Sequence, residues 1–142
     1  MSQVNSNLIK TNSFTGKTTA SSISVTAEGG STTTNLQQGL CKCWLKMNAG
    51  QSITDSFNVS TLSDYGTGDY AKAFTSVMGN ADYALVGSTI KGAGSPSSSN
   101  YGIVTMGEGP ATNLCGIGTL ANSGPAANDR TMIFSSIHGD LA

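Results

Sequence analysis

The chain has 142 residues, of which only 11% are charged, and its formal net charge is −1. Gly, Ser, Thr and Asn together make up 66 of the 142 residues. This composition disfavours helices, because the polar side chains compete for backbone hydrogen bonds and glycine is costly to order. The near-neutral charge without a basic stripe disfavours a nucleic-acid partner. No apolar run approaches the roughly 18 residues of a membrane-spanning helix, so no membrane insertion is expected.

The first 37 residues differ in pattern from the rest of the chain. Their apolar side chains are scattered, and only residues 21–27 alternate as a strand does, with Ile23 and Val25 on one side. Such a segment cannot build a core alone. We predict an extended arm over residues 1–37 that becomes ordered against a partner, with Phe14, Ile23 and Val25 as its candidate interface residues; a disordered tail is the alternative.

From residue 38 the pattern predicts a β-domain that extends to residue 142. Over residues 40–47, Cys41, Cys43, Leu45 and Met47 share one face, and Trp44 lies on the other between two lysines. This period of two is that of a half-buried strand. Further strands are predicted over residues 56–62, 69–77, 81–90, 101–106, 114–120 and 131–137, with turns at 48–50 and 63–68 and a long loop at 91–100.

In the second predicted strand, Phe57 and Val59 are expected to point the same way. In the third, Tyr70, Lys72 and Phe74 share one side. Six to eight short strands at this spacing indicate an all-β fold, either an antiparallel β-sandwich or a jelly-roll-like domain, preceded by the extended arm.

Two segments match nucleotide-binding motifs only in part. The run from Thr15 to Thr18 resembles the end of a phosphate-binding loop, but the required earlier glycine is replaced by Thr11. Residues 116–121 fit a dinucleotide fingerprint, yet the helix that must follow would meet Gly124 and Pro125. No nucleotide and no other cofactor is therefore predicted.

The reactive side chains do not form a recognisable catalytic pattern. His138 is the only histidine, and no nucleophile elbow accompanies it. Cys41 and Cys43 are two apart, with Cys115 distant, which differs from the usual zinc spacings. We interpret the cysteines as small core residues of a protein that folds in a reducing cytoplasm, since the N-terminal residues carry no secretory signal pattern.

Three aspartates near predicted turns, Asp64, Asp69 and Asp82, are the remaining acidic candidates. They lack the ligand spacing of an EF-hand loop and the setting of a glycosidase carboxylate pair. Turn aspartates that accept backbone hydrogen bonds explain them, and a surface ion is the alternative. We predict no catalytic residue and no metal site, and hence no enzyme.

Trp44 is the most informative aromatic residue. Together with Tyr65, Tyr70, Tyr83 and Tyr101 it could form a platform that stacks on carbohydrate. Because it lies opposite the core-forming face of its strand, we prefer a subunit interface, where aromatic residues are enriched.

Several segments together resemble a β-domain found in virion proteins of marine tailed phages. They are residues 39–47 (GLCKCWLKM), 55–60 (DSFNVS), 64–70 (DYGTGDY), 81–84 (ADYA) and 139–142 (GDLA). The similarity covers about residues 38–142, and its second and third segments are the more specific. Where family members carry small alanine-like residues in the first strand, this chain has Cys41 and Cys43, which agrees with a core role.

The resemblance implies a tail-fibre, head-fibre or capsid-decoration protein that forms a homotrimer on the virion surface. Its other partners would be the major capsid protein or the tail and fibre proteins of the same particle. The function expected is therefore that of a non-enzymatic structural component, synthesised in the cytoplasm of a bacterial host. The alternative is a fibre-tip adhesin or lectin-like domain that binds a host surface glycan or protein, and a small depolymerase is a third, enzymatic candidate.

Overall fold

In a computed structural model of the chain, the structure describes residues 8–16, 23–26, 30–31, 33–48, 50–90, 101–121 and 126–139. The predicted loop at 91–100 lies outside these residues. The chain divides into two compact units, Met1–Leu36 and Gln37–Ala142, next to the boundary predicted after residue 37. In the described residues, secondary structure consists of ten strands and one four-residue helix, α1 (Leu36–Gly39).

The first unit contains a short antiparallel ladder. Strands β1 (Ser24–Thr26) and β2 (Thr33–Asn35) pair with Val25 opposite Thr34. The amide of Leu36 continues this ladder by donating to the carbonyl of Ile23, at 2.8 Å. Residues 24–26 of the predicted strand at 21–27 therefore form a strand, and they pair with a segment for which no strand was predicted.

The second unit is an eight-stranded antiparallel sheet. Its strands are β3 (Cys41–Asn48), β4 (Ile53–Phe57), β5 (Val59–Gly66), β6 (Asp69–Phe74), β7 (Ala84–Ile90), β8 (Tyr101–Thr105), β9 (Leu114–Ala121) and β10 (Met132–His138). Their order across the sheet is β4-β3-β10-β7-β8-β9-β6-β5. The two edge strands of the sheet, β4 and β5, are thus consecutive in sequence.

The sheet folds over so that β3 and β10 pack against β6 and β9, and this contact forms the core. One cluster of buried side chains contains Cys43, Phe74, Met78, Cys115 and Ile137. A second contains Leu45, Met47, Tyr70, Ile117 and Ile133. Inward-facing side chains from two packed layers are the mark of a β-sandwich, and the all-β prediction is confirmed.

Asn58 is the residue at which one stretch of chain passes from β4 to β5. Its φ of 58° is in the left-handed region, which asparagine tolerates better than most residues. Its side-chain amide donates to the carbonyls of Lys42 and Ser76, both at 3.0 Å, and accepts the Ser76 amide at 2.6 Å. Asn58 therefore holds β3 to the segment after β6 at the point where the chain changes layers.

This junction overturns three details of the sequence analysis. The strand predicted over residues 56–62 is in fact interrupted at Asn58, and β5 extends to Gly66 through most of the predicted turn at 63–68. Phe57 and Val59 do not share a face: Phe57 is half exposed, whereas Val59 packs against both core clusters. A left-handed residue between them breaks the alternation on which the prediction relied.

The turn between β5 and β6 is tied to the segment before β10. Gly68 has a φ of 69°, and its amide donates to Asp129 at 2.7 Å. The hydroxyl of buried Tyr70 donates to the same carboxylate oxygen at 2.8 Å. A side chain at position 68 would also meet the backbone of Thr119 and Asn128 at 2.7 Å, so only glycine fits this turn.

We expect substitution of Asn58 to destabilise the domain. Asn58→Ala removes three hydrogen bonds and places alanine in a left-handed conformation, so it should lower the free energy of unfolding by roughly 2–4 kcal/mol. Asn58→Gly loses the same bonds but accepts the backbone conformation, so its loss should be about 1 kcal/mol smaller. Urea unfolding followed by Trp44 fluorescence measures both, and wild-type stability in both variants would contradict the role of this junction.

Candidate functional site

The outer face of the layer formed by β4, β3, β10 and β7 carries a cluster of exposed apolar side chains. In one row across these strands, Phe57 lies opposite Trp44, Trp44 opposite Ser136, and Ser136 opposite Val86. The next row on the same face contains Asp55, Lys46, Phe134 and Ser88. We call this surface the Trp44 face.

The large side chains of the Trp44 face remain accessible to solvent. Trp44 is 37% exposed, Phe57 50% and Val86 60%. Trp44, Val86 and Phe134 line a shallow groove of about 460 Å³, with Lys46, Ser88 and Ser136 at its polar positions. A contiguous apolar surface with a polar border is typical of a contact site for another molecule.

The other predicted interface residues lie in the first unit. Phe14 and Val25 are exposed and Ile23 is half-buried. Leu8 and Ile9, which precede them, are also exposed. Among the described residues of this unit, these apolar side chains are exposed or half-buried, and none belongs to either core cluster.

The acidic candidates do not converge on one site. Asp64 accepts hydrogen bonds from the Gln51 side chain and, at 2.9 Å, from the Gly66 amide, which is the turn role expected of it. In the described residues, no three His, Cys, Asp or Glu side chains are grouped as a metal site would require. His138 is half-buried in β10, opposite Ala84. Over the same part of the chain, no helix has the length and apolarity to span a membrane.

The hypothesis of a five-residue aromatic platform is wrong. Tyr70 is buried and bonded to Asp129. Tyr83 is half-buried, donates its hydroxyl to the carbonyls of Ala111 and Leu114, and packs edge-on against Phe74 with ring centroids 6.0 Å apart. Because these two rings serve the core, the exposed aromatic partner of Trp44 is Phe57.

The structure also shows a buried polar cluster that the sequence analysis missed. Lys72 in β6 is 0% exposed, and its amino group donates to the Ser135 hydroxyl in β10 at 2.8 Å. In the sheet it lies directly opposite Cys115, and Cys43 belongs to the same buried core cluster as Cys115. The sequence did contain a signal for this burial: alternation placed Lys72 on the same side of its strand as Tyr70 and Phe74, which are both buried.

Burial shifts the ionisable groups of this cluster toward their neutral forms. Loss of hydration lowers the pKa of Lys72 and raises the pKa of Cys43 from 9.0 to about 11, the latter partly offset by the nearby amino group. Burial likewise raises the pKa of Cys115. A buried charge without an opposite charge is unfavourable, and within the described residues no carboxylate forms an ion pair with Lys72.

Comparison with known proteins found no match: no family model, no curated protein and no solved structure matches this chain.

We expect Lys72 to make the stability of the domain depend on pH. Because its pKa is lowered on folding, the unfolded chain binds the proton more tightly. The burial of Lys72 therefore lowers the free energy of unfolding by its full amount below the lowered pKa. This loss disappears as the pH rises toward 10.5, the usual pKa of a lysine. Above pH 9.0 the cysteines oppose this trend, because their raised pKa values make stability fall as the unfolded thiols ionise.

Lys72→Met combined with Ser135→Ala tests this expectation in reducing buffer below pH 9. At pH values below the lowered pKa of Lys72, the free energy of unfolding of the double variant should exceed that of wild type by roughly 1–3 kcal/mol. Its stability should also depend less on pH. Urea unfolding at a series of pH values gives both quantities. A profile parallel to that of wild type would contradict the assignment.

Proposed function

We propose that this protein is a non-enzymatic structural component of a tailed-phage virion, a homo-oligomer on the particle surface. The observation that carries the proposal is the Trp44 face, an exposed apolar surface on a rigid β-layer. The similarity of residues 38–142 to virion β-domains supports the same role and favours a trimer.

The chemistry of the Trp44 face suits packing against another copy of the chain. Trp44 and Phe57 supply large apolar areas that lose little side-chain freedom on binding. Lys46 and Asp55, cross-strand neighbours on this face, give it charges of both signs, so a second copy can place its acidic group near the basic group of the first. Such pairing orients partners more than it adds affinity.

The N-terminal unit is the proposed attachment segment. Its exposed Leu8, Ile9, Phe14 and Val25 are apolar side chains that a neighbouring subunit or the particle would cover. A segment of this kind becomes ordered on binding and gives up part of its interaction energy to that ordering. The partner in that role is the major capsid protein for a decoration subunit, or a tail or fibre protein for a short fibre.

A fibre-tip adhesin is the second candidate, because the groove on the Trp44 face combines an aromatic ring with the hydroxyls of Ser88 and Ser136. An indole ring beside hydroxyl groups can stack on a sugar and bond to its substituents. In this alternative the groove would stay open in the oligomer. Quenching of Trp44 fluorescence by host surface glycans, without loss of the oligomer, would favour this candidate.

We expect Val86→Glu to dissociate the oligomer. The substitution places an unpaired carboxylate on the Trp44 face, where its desolvation would oppose association. Val77→Glu is the matched control, because Val77 is 45% exposed but lies outside that face. Light scattering after gel filtration should show smaller particles for Val86→Glu only. Equal masses for the two variants and the wild type would contradict the proposed interface.

Copy number in purified virions tests the virion role itself. Quantitative mass spectrometry relative to the major capsid protein should find hundreds of copies for a capsid decoration subunit, or a few to a few dozen for a fibre component. Deletion of residues 1–36 should leave the sandwich folded but unable to join the particle. Absence of the intact protein from the particle would contradict the proposal, and normal incorporation of the truncated protein would contradict the anchoring role.

A further inference from the structure

A buried arginine, Arg130, lies in the segment that leads into β10. It is 1% exposed. One terminal nitrogen of its guanidinium donates to the carbonyl of Leu120 in β9, at 2.5 Å, and this bond orients the group. Arginine stays charged at any pH at which proteins are folded. The sandwich therefore holds a permanent positive charge in its interior.

No carboxylate balances this charge within the described residues. The neighbouring Asp129 accepts hydrogen bonds from the Gly68 amide and the Tyr70 hydroxyl, at 2.7 and 2.8 Å. Arg130 forms no ion pair in the same part of the chain. A buried charge without an opposite charge is strongly unfavourable, so an anion beside the guanidinium would stabilise the fold.

Two polar atoms without partners converge on one place beside Arg130. Among the described residues, the Nε of Arg130 and the hydroxyl oxygen of Thr89 are the buried side-chain atoms that lack a hydrogen-bond partner. A Cβ built on Gly102 would lie 2.5 Å from the Thr89 oxygen and 2.7 Å from Nε. Thr89 is directly opposite Gly102 in the β7–β8 ladder and is 7% exposed. Only glycine at position 102 lets both groups approach this place.

The chemistry of these two groups selects an anion. The N–H of Nε can only donate, and the threonine hydroxyl has a hydrogen to donate as well. A water molecule could accept from both, but it would leave the positive charge unbalanced. Because Arg130 and Thr89 are both buried, the ion must be small, which excludes a phosphate or carboxylate that belongs to a larger molecule.

We propose that Arg130 and Thr89 bind a small monovalent inorganic anion of the halide class inside the sandwich. The ion accepts hydrogen bonds from Nε and from the threonine hydroxyl, while the bond to Leu120 holds the guanidinium in place. It thereby joins β7, β9 and the segment before β10 next to the β7–β8 ladder, and it stabilises the fold as a structural ion. The proposal concerns the interior and does not depend on the virion role.

The test follows the stability of the full-length protein as sodium chloride replaces sodium gluconate at constant ionic strength. An ion that binds only the folded state stabilises it by mass action, so the folding equilibrium constant should rise at least tenfold between about 10 mM and about 1 M chloride. Urea unfolding followed by Trp44 fluorescence measures this rise. Bromide should act as chloride does, and anomalous scattering from a crystal grown with bromide should place the ion against Arg130 and Thr89.

Matched variants separate this ion from other effects of salt. Arg130→Met removes the charge and should make stability independent of chloride. Thr89→Val keeps the shape but removes one donor, so about tenfold more chloride should be needed for the same stabilisation. Lys72→Met and Ser135→Ala remove another buried amine and a buried hydroxyl, and both should keep the wild-type response.

A smaller rise in wild-type stability, or bromide absent from Arg130 in the crystal, would overturn the proposal, and both results are obtained without any variant. An equal chloride response in Arg130→Met would overturn it as well. Glu28 and Asp140 are acidic residues outside the described ones. Chloride-independent wild-type stability that falls in Glu28→Gln or Asp140→Asn would assign the opposite charge to that carboxylate instead.

Discussion

The architecture depends on a single backbone conformation at Asn58. Because this residue is left-handed and its amide group bonds to two other segments, one stretch of chain can begin in one layer and finish in the other. The two ends of the eight-stranded sheet are joined there by a covalent chain rather than by a ladder. A straight strand would leave β5 and β6 without a route to the opposite layer, and the core between the layers could not form.

Two departures from ordinary patterning lie on the two sides of the same layer of the sandwich. On the outside, Trp44 is left accessible in the middle of β3. On the inside, Ser135 of the neighbouring strand β10 accepts a hydrogen bond from the buried amino group of Lys72, at 2.8 Å. Natural sequences break local rules mainly at functional or strained sites. The outer exception is the basis of the proposed assembly surface, and the inner one places an ionisable amine in the core.

Much of the fold could be predicted from the sequence because alternation reports burial in strands with one exposed face. The strands at β3, β9 and β10 match their predicted ranges within one residue at each end, and Trp44 is on the outer face as inferred. Asn58 was a missed signal, since asparagine tolerates the left-handed region better than most residues, but the alternating residues around it favoured one continuous strand. The Lys72 cluster depends on contacts between distant strands, which alternation does not encode. Interface and virion roles are still predictions.

The position of β3 has a mechanical consequence. The chain of the N-terminal unit continues into the sandwich through β3, which is hydrogen-bonded on both sides, to β4 and to β10. Backbone hydrogen bonds in antiparallel ladders run perpendicular to the strands, so tension along β3 loads both ladders in shear and must break many bonds at once. An edge strand pulled in the same direction would be held by one ladder only, whereas β3 is held by two.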